Sequence, residues 1–158
     1  FLYHNVDLEG WNPRDIPLTQ ALTDQKLSTM NTVHSWWYEC LCSGSILGGR
    51  WCQPVDTSKW ETDPIQIQIK DLFDTFNSWA IENHRQGHNI VNLQVFSRQI
   101  NMVLSPSVHS RVRVGGSRIC FIDLACLPKS RSSFMTFYPG MTFFSSTPSP
   151  SDDEIMST

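Results

Sequence analysis

Four arginines between residues 98 and 118 are the residues whose type and spacing point most directly to chemistry: Arg98, Arg111, Arg113 and Arg118. An arginine guanidinium is always charged and donates two parallel hydrogen bonds to a phosphate or to a guanine edge. Such a cluster predicts contact with a polyanion, and we expect DNA. The pattern leaves open whether that DNA is single or double stranded.

The charge distribution supports this expectation, although the net charge of the whole chain is −3. From Arg98 to Tyr138 the chain has six basic residues and one acidic residue, a net charge of +5. The remainder has six basic and fourteen acidic residues, a net charge of −8. Because the charge is so unevenly spread, the basic segment predicts a surface that faces a polyanion. The alternative is a basic face that is only solvated.

Polar residues around Arg98 have the types that read base edges. Asn92 predicts a helix start, and apolar residues then recur at helical spacing up to Leu104. With that stripe buried, the exposed faces would carry Gln94, Ser97, Arg98, Gln99 and Asn101. Glutamine and asparagine make paired hydrogen bonds to adenine, so this helix is a candidate for base contacts.

Earlier segments predict three further helices and a strand. Thr19 is a candidate cap for a helix over residues 20–28, and Asn31 for a helix that ends near Gly44. Isoleucines alternate with glutamines over residues 65–69, which predicts a short strand. A second helical stripe covers residues 72–80.

Two β-rich runs flank Gly115-Gly116 and predict a hairpin, because glycine supplies the positive φ that a two-residue turn requires. In its first strand the alternation would turn Val112 and Val114 inward and the arginines outward. A last short helix is predicted between Pro128 and Tyr138. The element order predicts an α+β fold, mainly helical with a small hairpin, of the winged helix-turn-helix class. The helix after Asn92 would be its recognition helix and the hairpin its wing.

The N-terminal third carries a family resemblance. The runs Asp7–Leu22, Asp24–Lys26 and Ser35–Leu41 resemble the C-terminal region of phage and plasmid primase-helicases, which have a superfamily-three AAA+ motor. In that family the segment closes the helicase region and a winged-helix-like domain follows. Trp11 stands where the family usually has phenylalanine. The resemblance implies a DNA-binding or DNA-positioning role, and a contact of Arg14 with the motor or with a neighbouring subunit. A surface salt bridge is the simpler role for Arg14 and is favoured.

This resemblance implies a module rather than an enzyme. The chain has no Gly-x-x-x-x-Gly-Lys-Ser/Thr motif to cradle phosphates, so we expect ATPase and primase activities to lie elsewhere in a longer parent protein. The start at Phe1 fits that expectation. We expect no cofactor, no membrane contact and an intracellular setting, in the host cytoplasm or wherever the replicon resides, and no secretion. The expected partners are DNA, the rest of the helicase chain and other copies through the parent motor.

The expected organisation has three parts. Residues 1–30 would end the preceding helicase domain or link to it, residues 31–140 would form the winged-helix-like domain, and residues 141–158 would be a disordered acidic tail. The alternative function is a protein-interaction winged helix for oligomerisation or partner recruitment. A small metal or thiol enzyme is the weakest alternative.

Several residues allow both a functional and a structural interpretation. A zinc site could be formed by side chains of the types that bind zinc at Cys40, Cys42, His84 and His88. Buried thiols are favoured instead, because Cys40 and Cys42 would point in different directions around a helix. No cysteine has neighbours that would activate it as a nucleophile. Trp36 and Trp37 are predicted in the core. Loop anchoring is favoured for Trp51 and Trp60, with an exposed stacking role for one of them as the alternative.

Overall fold

The computed structural model describes residues 20–83, 91–104 and 109–143. In these residues five helices accompany a three-stranded antiparallel sheet. In chain order the elements are α1 (Gln20–Thr29), α2 (Thr32–Ser43), β1 (Ile65–Gln68), α3 (Ile69–Glu82), α4 (Leu93–Val103), β2 (His109–Val114), β3 (Ser117–Leu124) and α5 (Leu127–Phe137). The predicted mixture of helices with a small amount of β structure is confirmed.

The helix caps predicted at Asn31 and Asn92 are confirmed, and the cap predicted at Thr19 lies outside the described residues. The side chain of Asn31 accepts a hydrogen bond from the backbone N–H of His34, at 2.8 Å, and so begins α2. Asn92 does the same for Val95 at the start of α4, at 2.9 Å. Gly44 ends α2 in the left-handed conformation, with φ of 71°. These polar and glycine residues set the helix boundaries because they satisfy backbone groups that the first and last turns leave unpaired.

The sheet has the order β1-β3-β2, so the first strand pairs with the last and not with its neighbour in sequence. Ile65 pairs with Leu124 and Ile67 with Ile122. Gly115 and Gly116 form the turn between β2 and β3, with φ of 57° and 84°. Both angles lie in the left-handed region, as a two-residue hairpin turn of this kind requires.

Helix α2 lies at the centre of the core. Its apolar stripe, Val33, Trp36, Trp37, Cys40 and Leu41, is fully buried. Aromatic rings from other helices pack on it, and Trp36 contacts Phe76 of α3 and Phe96 of α4. The prediction that both tryptophans of the pair lie in the core is confirmed.

Helix α1 and the segment after α5 pack on the same core. Leu27 and Met30 lie against it, and the hydroxyl of Tyr38 donates to the backbone oxygen of Thr142 at 2.7 Å. Phe143 stacks on the ring of Tyr38. The assignment of residues 1–30 to a preceding domain and of residues 141–158 to a tail stays a prediction, since residues 1–19 and 144–158 lie outside the described ranges.

Candidate nucleic-acid interface

Three of the predicted arginines share one face of the β2–β3 hairpin. Arg113 pairs directly with Arg118, and Arg111 pairs with Cys120. Directly paired residues project to the same side of a sheet, so all three guanidinium groups lie on one side, which we call the arginine face. The same side carries the pair His109 and Ile122 nearer the core. All three arginines are exposed.

The valines of β2 occupy the opposite side, which we call the outer face. Val112 pairs with Ile119, and Val114 with Ser117. The side chains of Val112 and Val114 are 47% and 56% exposed, so the prediction that they pack inward was wrong. The arginines instead lie on the side that leads into the core. Because the hairpin projects beyond the core, both of its faces reach solvent near the turn.

Helix α4 lies next to the start of the hairpin. His109, the first residue of β2, places its Nε2 atom 3.1 Å from Oδ1 of Asn101. Gln94, Arg98 and Asn101 are exposed and follow each other at intervals of four and three residues, so they share one side of the helix. The contact therefore joins the exposed side of α4 to the strand that carries Arg111 and Arg113.

Two of the residues predicted on the exposed faces of α4 are half-buried. They are Ser97 and Gln99, and the prediction of exposure was wrong for both. Helix α4 packs against α2, α3 and α5, so its buried arc is wider than the apolar stripe alone indicates. The Oε1 atom of Gln99 is buried and has no hydrogen-bond partner in the described part of the chain. Gln99 is therefore part of the packing between helices.

The arginine face has no compensating acid within the described residues. There, no hydrogen bond or ion pair occupies the guanidinium groups of Arg111, Arg113 or Arg118. Arg98 on α4 is exposed as well. Positive charge on both the hairpin and the neighbouring helix side is available to a ligand with several negative charges.

Arg131 differs from these arginines, although it contributes to the charge of the basic segment. Its Nε and Nη2 atoms donate to the backbone oxygen of Leu41, at 2.9 and 2.7 Å. Its guanidinium also lies 5.5 Å from the centre of the Phe143 ring. The side chain therefore caps the end of α2, where carbonyl groups lack helical partners.

The metal and thiol alternatives gain no support from the described residues. Among them, no group of three or more histidine, cysteine or acidic side chains is placed to hold a metal ion. His84 and His88 lie outside the described ranges. Cys40 is fully buried, and burial raises the pKa of its thiol far above the usual range. That shift works against a thiolate nucleophile.

The two loop tryptophans have different environments. Trp60 is buried and its indole N–H donates to the backbone oxygen of Ala125 at 2.9 Å, which confirms loop anchoring. Trp51 is 91% exposed and stands at a cleft that sequence reasoning did not identify. Neither tryptophan lies in a periodic apolar pattern, so the sequence does not show which of the two is buried and which is exposed.

Comparison of the chain with protein-family models, with curated proteins and with solved structures gives no match. The resemblance to primase-helicases is therefore a prediction from the residues alone. No helix in the described ranges has the length and apolarity needed to cross a membrane.

Proposed function

We propose that this chain is a winged-helix DNA-binding domain in which α4 is the recognition helix and the β2–β3 hairpin is the wing. The order of elements from α2 onward supports the proposal, since helix, strand, helix and helix precede the hairpin. The sheet order β1-β3-β2 supports it too, because the early short strand pairs with the second strand of the hairpin. This pairing joins the hairpin to β1, the strand between α2 and α3.

The observation that carries the proposal is the arginine face. Arg111, Arg113 and Arg118 project from one side of the hairpin, and Arg113 is paired directly with another arginine. Like charges placed directly opposite each other are unfavourable in a sheet. A phosphate bound between the two guanidinium groups would offset this repulsion. Each phosphate that the arginines neutralise would also release counterions from the DNA, which favours binding.

Helix α4 supplies base contacts in this proposal. Gln94, Arg98 and Asn101 form its exposed side, and their side chains have the donors and acceptors that match guanine and adenine edges. Ser97 and Gln99 were candidates for the same role, but their partial burial favours structural roles. The hairpin then fixes the position of the domain on the backbone, and α4 reads sequence.

On the resemblance of its N-terminal third, we propose further that the domain is the C-terminal module of a viral or plasmid replicative primase-helicase. Its task there is to hold DNA near the motor, and the ATPase and primase reactions belong to other parts of that protein. The chain itself contains no phosphate-cradling motif. The domain acts by electrostatic docking and performs no catalytic step.

Fluorescence anisotropy with labelled duplex and single-stranded oligonucleotides tests the proposal. The variant Arg111→Ala/Arg113→Ala should lose roughly tenfold or more in affinity. The matched variant Arg50→Ala/Lys59→Ala removes two exposed cations outside the proposed interface and should bind as the wild type does. Equal affinities for the two variants, or an absence of binding by the wild type, would contradict the proposal.

A second pair of variants tests the assignment of α4. Gln94→Ala should change the preference among duplex sequences, since an exposed amide that reads a base is worth roughly 1–3 kcal/mol of discrimination. Gln99→Met should leave that preference unchanged, because its side chain is half-buried and bears on packing. A changed preference in Gln99→Met with none in Gln94→Ala would overturn the assignment.

A further inference from the structure

A cleft of about 700 Å³ lies between the loop of residues 51–55 and strand β1. Its volume is in the range of ligand and peptide sites. Besides the loop, its lining includes Gln66, Gln68, Asp71, Asp74, Thr75 and Phe121. Gln68 pairs with Phe121, which alternates with Cys120 and so belongs to the outer face. Gln66, Gln68 and Phe121 therefore line the cleft from the outer face, whereas Ile67 pairs with Ile122 on the other side of the sheet, so the cleft opens at the edge of β1.

Apolar side chains extend from this cleft toward the hairpin turn. Trp51 stands at the cleft with nearly its whole side chain in solvent. Val112 and Val114 are exposed on the outer face, and Ile119 and Phe121 there are half-buried. Isolated exposed apolar residues are common, but an adjoining set beside a cleft is typical of a surface that binds protein.

Strand β1 contributes a free backbone edge. The sheet order makes β1 an edge strand, so half of its N–H and C=O groups point away from β3. Outside the sheet itself, no backbone hydrogen bond joins Ile65–Gln68 to another described residue. An extended peptide that adds as a further strand would satisfy these groups.

The charge of the cleft selects the kind of peptide. Asp71 and Asp74 are exposed, lie one turn apart on α3 and both line the cleft. No lysine or arginine is among its described lining residues. Two carboxylates beside an exposed indole attract a lysine or arginine side chain, which binds the ring by a cation–π contact. The same carboxylates repel phosphate, so the cleft does not extend the DNA surface.

We propose that this cleft docks an extended segment of a partner protein in which basic and apolar residues alternate. The segment pairs with the free edge of β1. An apolar side chain packs on Phe121, and a basic side chain binds Asp71 and Asp74 and stacks on the Trp51 ring. One sheet then serves two partners, with DNA on the arginine face and protein on the outer face.

A capped heptapeptide in which valine and arginine alternate is the probe, and its titration is followed by the ¹H–¹⁵N NMR spectrum of the domain. We expect saturable shifts of the β1 amides and of the Trp51 indole. Trp51→Ala and Asp71→Asn/Asp74→Asn should each weaken binding roughly tenfold. Glu61→Gln/Asp63→Asn, which removes two exposed acids outside the cleft, should bind as the wild type does.

Three outcomes would overturn this proposal: no saturable binding of the peptide, equal binding by all variants, or equal binding of a peptide with glutamate in place of arginine. Saturation of the same resonances by oligonucleotides would assign the cleft to nucleic acid and also overturn it. Because Trp51 lies away from the arginine face, Trp51→Ala should keep the DNA affinity of the wild type. Failure of the peptide site is thus distinguished from failure of the DNA proposal.

Discussion

Arg113 and Arg118 are directly paired across the β2–β3 hairpin, so two guanidinium groups project from adjacent positions on the same side of the sheet. The Gly115-Gly116 turn lies immediately beyond the next residue pair and fixes their register. Like charges in this position destabilise a sheet. The hairpin thus retains a local repulsion that a bound polyanion would relieve.

Neutralising either arginine should therefore stabilise the DNA-free domain. Arg113→Gln and Arg118→Gln should each raise the free energy of unfolding by about 0.5 kcal/mol at low salt. The double variant should gain little beyond either single one, because one substitution already removes the repulsion. Urea unfolding of all four proteins gives the coupling energy. Additive gains, or gains that persist unchanged in about 1 M salt, would show that the pair does not repel.

Arg131 should behave in the opposite way. Arg131→Ala removes two hydrogen bonds from a charged donor to the backbone oxygen of Leu41, so the free energy of unfolding should fall by roughly 1.5–3 kcal/mol. Arg131→Lys should recover part of this loss, since it keeps the charge but not the paired donors. Denaturant unfolding measures both. DNA affinity should be unchanged, and a weaker affinity at unchanged stability would place Arg131 in the interface.

His34 connects α2 to α4 and α5 through its two ring nitrogens. Nε2 lies 2.8 Å from the backbone oxygen of Gln99, and Nδ1 lies 2.6 Å from the hydroxyl of Tyr138. A carbonyl oxygen only accepts, so Nε2 carries the proton and the tyrosine hydroxyl donates to Nδ1. Burial lowers the pKa of His34, although the hydrogen bond to Gln99 opposes that shift.

Acid should therefore destabilise the domain through His34. As the pH falls below about 6.5, the ordinary pKa of histidine, the unfolded chain binds a proton that folded His34 does not. The free energy of unfolding should then fall by up to about 1.4 kcal/mol per pH unit until the folded pKa is reached. His34→Gln should reduce this slope. Urea unfolding between about pH 5 and 8 measures it, and an equal slope in the variant would contradict the assignment.

Local signals in the sequence are sufficient to predict the elements. Asn31 and Asn92 mark helix starts because their side chains replace missing backbone partners, and Gly115-Gly116 marks the turn because it needs positive φ. The α2 stripe predicts its own burial because three of its members are large apolar side chains. These effects act over a few neighbouring residues, so the elements can be predicted from the sequence without knowledge of the fold.

The composition of the site depended on long-range packing and was predicted only in part. Alternation shows that Arg111 and Arg113 share a face, but the pairing of β3 with β1 decides which face leads into the core. The partial burial of Gln99 results from packing of α4 against three helices. Arg131 caps a helix end that is 90 residues away in sequence. None of these three long-range contacts produces a periodic pattern in the sequence.

The salt dependence of duplex binding tests the proposed DNA interface most directly. The logarithm of the association constant should fall linearly with the logarithm of salt concentration, by about 0.9 for each phosphate that is neutralised. Arg111→Ala/Arg113→Ala should therefore have a slope smaller in magnitude by about 1.8, whereas Arg50→Ala/Lys59→Ala keeps the slope of the wild type. Parallel lines for the wild type and the hairpin variant, or binding that does not depend on salt, would contradict the proposed interface.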